Sequence, residues 1–243
     1  MHAVTTKIQL SKNVNGNVSG HPLEKFLVIQ SASDLPRTLS FVLHELGDIS
    51  ASRVLMDPAP GTATESDLLN YIEGAGREKL VVELCKGILL VKPVGYEESI
   101  LAGELFAMLH AYVRPRRIGW LAVADGPMRM KGLNVRVPDI SFIARRSATD
   151  KLPKEAIASR PPDLVVEILS QSNTAREMTL KRGEYFASGT RMIWEIDPRK
   201  KKAKIYTSAS SSVEIGSRGM LDASPVIDGF SVRLGELFAA AAD

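Results

Sequence analysis

The stretch Asp163-Leu-Val-Val-Glu-Ile-Leu169 constrains the fold of this chain more than any other. Leu164, Val165, Val166, Ile168 and Leu169 form a nearly unbroken apolar run of strand length, the pattern of a strand covered on both faces. Such a strand needs a layer of structure above and below it. Glu167 sits in the middle of that run. An unpaired carboxylate buried there costs several kcal/mol, roughly, unless a cation or ligand compensates it. Either the strand has a wet face or the charge serves chemistry.

The neighbouring segments supply the missing layers. KLVVELCKGILLVKPV reads as two strands around a turn at Lys86-Gly87. YEESILAGELFAMLHAYVRPR reads as a helix, with Leu101, Leu105, Met108, Leu109 and Tyr112 in one apolar stripe. WLAVADGPMRM and VRVPDISFIA are expected as short strands separated by glycine turns. SNTAREMTLKRGEYFASG predicts a second helix, with Thr174 and Glu177 as a capping box and Gly189 as its stop. RMIWEIDPRKKKAKIYT predicts a hairpin with a basic turn, and LGELFAAAA a short terminal helix. Strand pairs, then helix, strand, helix and hairpin imply an α/β fold, a central mixed sheet flanked by helices.

Upstream the pattern is weaker. Residues 1 to about 22 are rich in Asn, Gly, Ser and Lys and are expected to be poorly ordered. LEKFLVIQ and LPRTLSFVLHELG suggest a short strand and a short helix. Thr64-Glu-Ser-Asp67 opens a helix near Leu68 that ends around Gly74 and Gly76. No internal repeat is evident.

Composition narrows the function. The 243 residues are 44% hydrophobic and carry a net charge of +3, a balance that permits an anionic partner without demanding one. The single cysteine, Cys85, excludes an internal disulfide and a cysteine-rich zinc site, and fits a reducing cytoplasm. The N-terminus lacks the apolar run of a signal peptide, and no window approaches the ~20 apolar residues of a membrane span. A soluble, cytoplasmic protein is expected. His2, His21, His44 and His110 show no metal-ligand spacing. No G-x-S-x-G elbow, P-loop or dinucleotide fingerprint occurs, which sets aside serine hydrolase, nucleotide hydrolase and dehydrogenase chemistry.

The residues left to carry chemistry are Glu98, Asp139, Glu167 and Lys181. If the strands bearing Asp139 and Glu167 are neighbours, their carboxylates converge at one sheet edge. Two close carboxylates repel unless they share a proton or a cation. Mg²⁺ or Mn²⁺ suits them, being held by one or two carboxylates plus waters and phosphate oxygens. The backbone carbonyl of Ile168 could add a ligand. Met178, Lys181 and Tyr185 share one helix face, so packing of Met178 and Tyr185 carries Lys181 inward. Beside two carboxylates its pKa should rise, which suits charge stabilisation better than proton abstraction. Glu98 points to the core beside Leu101 and Leu105, with Glu97 as its rival.

Each residue also has a plainer reading. Asp139 after Pro138 could be a turn residue. Glu167 could form a buried ion pair with Lys181 or an arginine. Lys181 could be a solvated helix residue, and Glu98 a charge favoured by the helix dipole. The basic clusters Arg114-Pro-Arg-Arg117, Arg145-Arg146 and Arg199-Lys-Lys-Lys202 could contact phosphates, or could be solvated charge at turns. Trp120 and Trp194 read as core residues rather than base-stacking platforms.

PDISFI, followed by PPDLVVEILSQSNTAREMTLKRGEYFASGTRMIWEIDP, resembles the Uma-two family of restriction-endonuclease-like proteins, in the PD-(D/E)XK nuclease superfamily. ELCKGILLVKPVGYEESILAGELFAML is similar to that family's N-terminal portion. LGDISASRV and DPAPGTATESDLL resemble an extension seen in some members. The resemblance spans roughly residues 45 to 243. It implies an N-terminal extension over 1–45, a helical lead-in over 46–78 and a restriction-endonuclease-like domain over 79–243.

By position, Asp139 matches the motif aspartate, Glu167 the motif glutamate and Glu98 the acid of the first core helix. The superfamily's usual lysine lies two residues after the glutamate, where this chain has Leu169; Lys181, with Tyr185 beside it, fits a lysine moved to the following helix. The implied activity is Mg²⁺- or Mn²⁺-dependent hydrolysis of DNA phosphodiester bonds. Within the basic clusters, Arg116, Arg117, Arg145, Lys200 and Lys201 are the candidate nucleic-acid contacts, and a homodimer is possible because related nucleases often pair to cut both strands. The rival is an inactive nuclease fold that binds nucleic acid or acts as a scaffold; a third reading makes the carboxylate cluster a structural ion pair.

Overall fold

The central element is a six-stranded sheet of order β10-β9-β8-β7-β6-β3 in a computed structural model that describes residues 38–74, 80–93, 95–152 and 154–242. In chain order, α1 (Leu39–Glu45), a 3-10 turn (Ala51–Arg53) and α2 (Glu65–Glu73) precede the hairpin β1 (Val82–Cys85) and β2 (Ile88–Val91). Then come α3 (Tyr96–Arg116), β3 (Gly119–Val123), β4 (Met128–Arg129), β5 (Val135–Arg136), β6 (Ile140–Ala144) and β7 (Leu164–Ile168). The chain continues through α4 (Ala175–Ser188), β8 (Met192–Asp197), β9 (Lys202–Tyr206), β10 (Ser212–Gly216), β11 (Met220–Asp222), β12 (Ser231–Arg233) and α5 (Leu234–Ala240). The mixed α/β architecture follows the expectation: β7 and β8 run parallel around α4, and the other neighbours in this sheet are antiparallel. The expected strand LEKFLVIQ lies outside the described residues.

Alternation along β7 sorts its side chains between two faces. Leu164, Val166 and Ile168 pack with Trp194 of β8 and with Leu101, Leu105, Leu109 and Val113 of α3. Those four helix residues recur every fourth position, which aligns them on one face. Burying each contributes about 1.5–3 kcal/mol. Val165 points to the other face with Ile143, Ile193 and Tyr185 of α4. Glu167 has the parity of Val165, so it faces α4. The strand has no wet face, for Glu167 is 4% exposed.

Two expected strands each divide between two sheets. WLAVADGPMRM splits into β3 and β4, and VRVPDISFIA into β5 and β6. β4 and β5 join a second sheet of order β2-β1-β5-β4. Pro138 lies at the second crossing; it has no N–H to continue a ladder, so the chain steps from one sheet to the other there. The capping box expected at Thr174 is half made. Thr174 caps the Glu177 N–H, but the Glu177 carboxylate turns to Arg53 and Asn173 instead of the helix start. Thr64 and Asp67 form the complete box at α2.

The β1–β2 turn shows how the segment ahead of the sheet docks. Lys86 and Gly87 both have positive φ (51° and 74°), as a two-residue hairpin turn requires. The carbonyl of Gly87 accepts from Gly61 N–H and Ala63 N–H, both at 2.8 Å. A Cβ on residue 87 would stand 2.7 Å from the Gly61 carbonyl oxygen. Gly87→Ala should therefore cost about 1–3 kcal/mol, measured as a lower midpoint in urea unfolding. A wild-type midpoint would mean this docking adds nothing to stability.

Candidate active site

The cleft lies where β7 ends, β6 begins and α3 starts. β6 and β7 pair antiparallel with Ile140 opposite Val166, so one step further Asp139 stands across from Glu167. Asp139 Oδ2 accepts from the Ile168 N–H at 2.7 Å. That bond ties the end of β7 to Asp139, while the Leu169 N–H still reaches the Ile196 carbonyl of β8 at 2.8 Å. Asp139 Oδ1 accepts from Lys92 Nζ at 2.8 Å, and Glu167 Oε2 lies 4.0 Å from the same ammonium. The two acidic side chains thus face one cation, and that cation is Lys92. The Val137 carbonyl, 2.6 Å away, completes its seat.

Behind this pair lies a second charged layer. Lys181, 2% exposed, reaches from α4 to Glu167 Oε1 at 3.3 Å and to Glu83 Oε1 at 3.2 Å. Tyr185 donates to Glu167 Oε1 at 2.7 Å. Met178 and Tyr185 are buried as well, so the shared helix face carries Lys181 inward. Glu83 is 0% exposed and also accepts from Arg136 Nη1 at 2.9 Å and the Val137 N–H at 3.1 Å. Arg136 in turn grips Glu184 through Nε and Nη2.

The electrostatics follow from burial and pairing. Burial disfavours the charged form of Lys181, yet Glu167 and Glu83 outweigh it and hold the lysine above its ordinary range. An ammonium held this firmly cannot act as a base, but supplies a fixed positive charge. Burial pushes Tyr185 well up, and the Glu167 charge adds to it, so its hydroxyl stays a donor. Burial likewise raises Glu167 above the usual carboxylate range against the pull of Lys181 and Lys92.

The donor set fits a hard divalent cation. Asp139 Oδ1, Glu167 Oε2 and the Val137 carbonyl already surround an ammonium, and the Ile168 backbone adjoins them. All are oxygens, the ligands Mg²⁺ and Mn²⁺ prefer. Among the described residues, no three His, Cys, Asp or Glu side chains are grouped to hold one ion, so waters would complete the shell. The cleft has a volume of about 50 Å³, room for more than one water-sized group.

The other expected residues divide. Glu98 lines the cleft together with Asp139, Glu167 and Lys181, and its carboxylate lies so close to Gly95 that a Cβ there would collide with it. Glu97 is exposed and does not line the cleft. Lys200 and Lys201 sit in the β8–β9 turn, at the same end of the parallel pair β7–β8 as the cleft. Lys200 is paired with Asp197 at 3.2 Å. Arg116, Arg117 and Arg145 lie elsewhere. Arg116 and Arg117 close the far end of α3, ~30 Å along the helix, and the Arg145 N–H bonds the adjacent Ile118 carbonyl. The guanidinium of Arg116 stacks on Tyr112, and that of Arg145 on Trp120.

Three participants escaped the sequence reading. Glu83 carried the same signal as Glu167, a carboxylate inside an apolar strand, in VVELC. Lys92, at the end of ILLVKP, carried a fainter version. Arg53 carried none, since nothing in LGDISASRV marks a buried arginine.

The "Putative restriction endonuclease" family Uma2 matches residues 68–235. A solved structure described as a "putative nuclease belonging to DUF820 from Anabaena variabilis" aligns with a TM-score of 0.62 at 20% identity, over 73% of this chain and 98% of that one. At that identity the likeness is one of fold. No curated protein matches the chain. Among the described residues, no helix is long and apolar enough to cross a membrane. The family match covers well over half of the sequence, and the chain belongs to the Uma2 family.

Proposed function

We propose that this protein is a metal-dependent nuclease that hydrolyses phosphodiester bonds of DNA. The observation that carries the reading is the shared seat of Asp139 and Glu167 around one cation. Asp139, Glu167 and the Ile168 carbonyl would hold Mg²⁺ or Mn²⁺. Such an ion, when bound, polarises the phosphoryl oxygen and lowers the pKa of a coordinated water. Lys92 balances the carboxylates and, on its flexible stem, can turn from Asp139 to an entering phosphate. Lys181 holds Glu167 in place and stabilises charge that builds on the phosphate. Tyr185 fixes the orientation of Glu167 from behind, and Glu98 orients waters at the cleft wall. Lys200 and Lys201 are placed to meet the DNA backbone as it leaves the cleft. One site cuts one strand, so a double-strand break would need two copies.

Purified protein with Mn²⁺ should nick supercoiled plasmid, and Asp139→Ala should not. Equal nicking by both proteins would assign the activity to a contaminant. A second reading, a purely structural ion-pair mesh, is favoured by one observation: among the described residues, each oxygen of Asp139 and Glu167 except Glu167 Oε2 already accepts a hydrogen bond. Titration calorimetry separates the two, because the mesh alone takes up no Mn²⁺.

A further inference from the structure

Arg53 is a buried cation that the proposed chemistry leaves unused. It lies ahead of the residues matched by the family, at the end of the 3-10 turn, with its side chain 6% exposed. Nε donates to the Val91 carbonyl at 3.0 Å, and Nη2 donates to Glu177 Oε1 at 2.8 Å. Glu177 is itself held by Asn173 Nδ2 at 3.2 Å. A guanidinium is a rigid planar fork of five N–H groups. Bonds through Nε and Nη2 fix its plane and leave Nη1 over. Nη1 is buried and has no hydrogen-bond partner among the described residues.

Arg53 lines the same cleft as Glu98, Asp139, Glu167 and Lys181. Ser170 and Asn173 also line it, in the turn that leads into the fourteen-residue helix α4. Within that turn the Ser170 N–H and hydroxyl donate to Asn173 Oδ1, and the Asn173 N–H donates to the Ser170 carbonyl, so the turn shapes the wall and the spare donor there is the guanidinium's. Buried donors are normally satisfied, so an exception in a residue that lines a cleft points to an acceptor from outside the chain, a water or a ligand oxygen. Glu177 neutralises one side of the guanidinium, and the side left over is the one suited to an oxyanion.

We infer that Arg53 Nη1, beside the Ser170–Asn173 turn, forms a phosphate subsite that takes a non-bridging oxygen of the nucleic-acid backbone beside the carboxylates. The inference rests on the nuclease reading for its ligand. It makes the segment ahead of the family match part of the substrate site, and Arg53 a substrate-binding residue.

Binding without metal tests it apart from cleavage. Anisotropy of a labelled DNA oligonucleotide is measured on the full chain in EDTA, with inorganic phosphate as competitor. Arg53→Lys keeps a cation for Glu177 but loses Nη1, and should weaken DNA and phosphate binding about tenfold, the scale of one charge-assisted hydrogen bond. Glu177→Gln leaves Arg53 in place without its countercharge, and should tighten both severalfold. A folded Arg53→Lys protein with wild-type affinity overturns the subsite, as does a wild type that binds neither probe. If Arg53→Lys fails to fold, Glu177→Gln decides, and unchanged or weaker binding overturns it. Absence of Mn²⁺-dependent nicking in the wild type bears on the nuclease reading, while loss of metal-free binding on Arg53→Lys bears on the subsite.

Discussion

Glu167→Gln should abolish Mn²⁺-dependent nicking, by about 10³-fold, while leaving the protein folded. The reason lies in the two unlike oxygens of this carboxylate. Oε1 accepts from Tyr185 and Lys181, and the amide oxygen of glutamine can accept from both. Among the described residues Oε2 accepts no hydrogen bond, and it looks towards Lys92. An amide NH₂ in its place cannot ligate a cation and meets an ammonium instead. Lys181 keeps Glu83 as its counter-ion, so the buried positive charge stays compensated. The measurements are nicking rate, Mn²⁺ affinity by calorimetry and thermal midpoint. A folded variant that cuts within tenfold of wild type would make Glu167 a structural residue and remove the basis for the proposed metal site.

The largest loss of stability should come from Glu83→Ala, about 3–5 kcal/mol in urea unfolding. Glu83 compensates two buried cations, Lys181 and Arg136, and accepts the Val137 N–H at the point where the chain changes sheets. Alanine leaves all three donors facing an apolar gap. The same residue sets an acid limit. Burial alone would raise its pKa, but Lys181, Arg136 and Lys92 together hold the carboxyl far below its ordinary value of 4.5.

A carboxyl depressed on folding contributes stability that is fully present above its unfolded value and lost as pH falls through its folded value. Lys181, raised on folding, contributes stability present below its ordinary 10.5 and lost only as pH climbs beyond that. Between these limits the pair adds a plateau. Below about pH 4.5 wild type should lose stability steadily, and Glu83→Gln, which no longer titrates, should show a shallower acid limb. Parallel acid limbs in the two proteins would show that the Glu83 charge is not what the acid removes.

Local signals were readable in the sequence wherever a single element carries the whole pattern. The four-residue spacing of Leu101, Leu105 and Leu109 marks a helix face because a helix turns by a fixed angle per residue. Thr64 and Asp67 mark a helix start because the side chain and the backbone it caps are neighbours in the chain. Glu167 in an apolar run marks a site because burial makes an uncompensated charge expensive. Met178, Lys181 and Tyr185 lie on one helix face whatever that face meets. Strands that are very short or largely exposed are harder to read. β4 and β5 are two residues each, too short for a period to appear, and β10 to β12 are largely exposed, so they carry little apolar patterning.

By itself the sequence determined the α/β class, the order of strand β7, helix α4 and strand β8, and the helix face that Lys181 shares with Met178 and Tyr185, because each depends on periodicity or on neighbours along the chain. Only the tertiary structure decided which charges meet. Glu83 and Lys181 are far apart in the chain, as are Lys92 and Asp139, and Arg53 and Glu177. No local rule relates such residues, since their pairing is set by how the two sheets cross at Pro138 and how the leading segment docks on the β1–β2 turn.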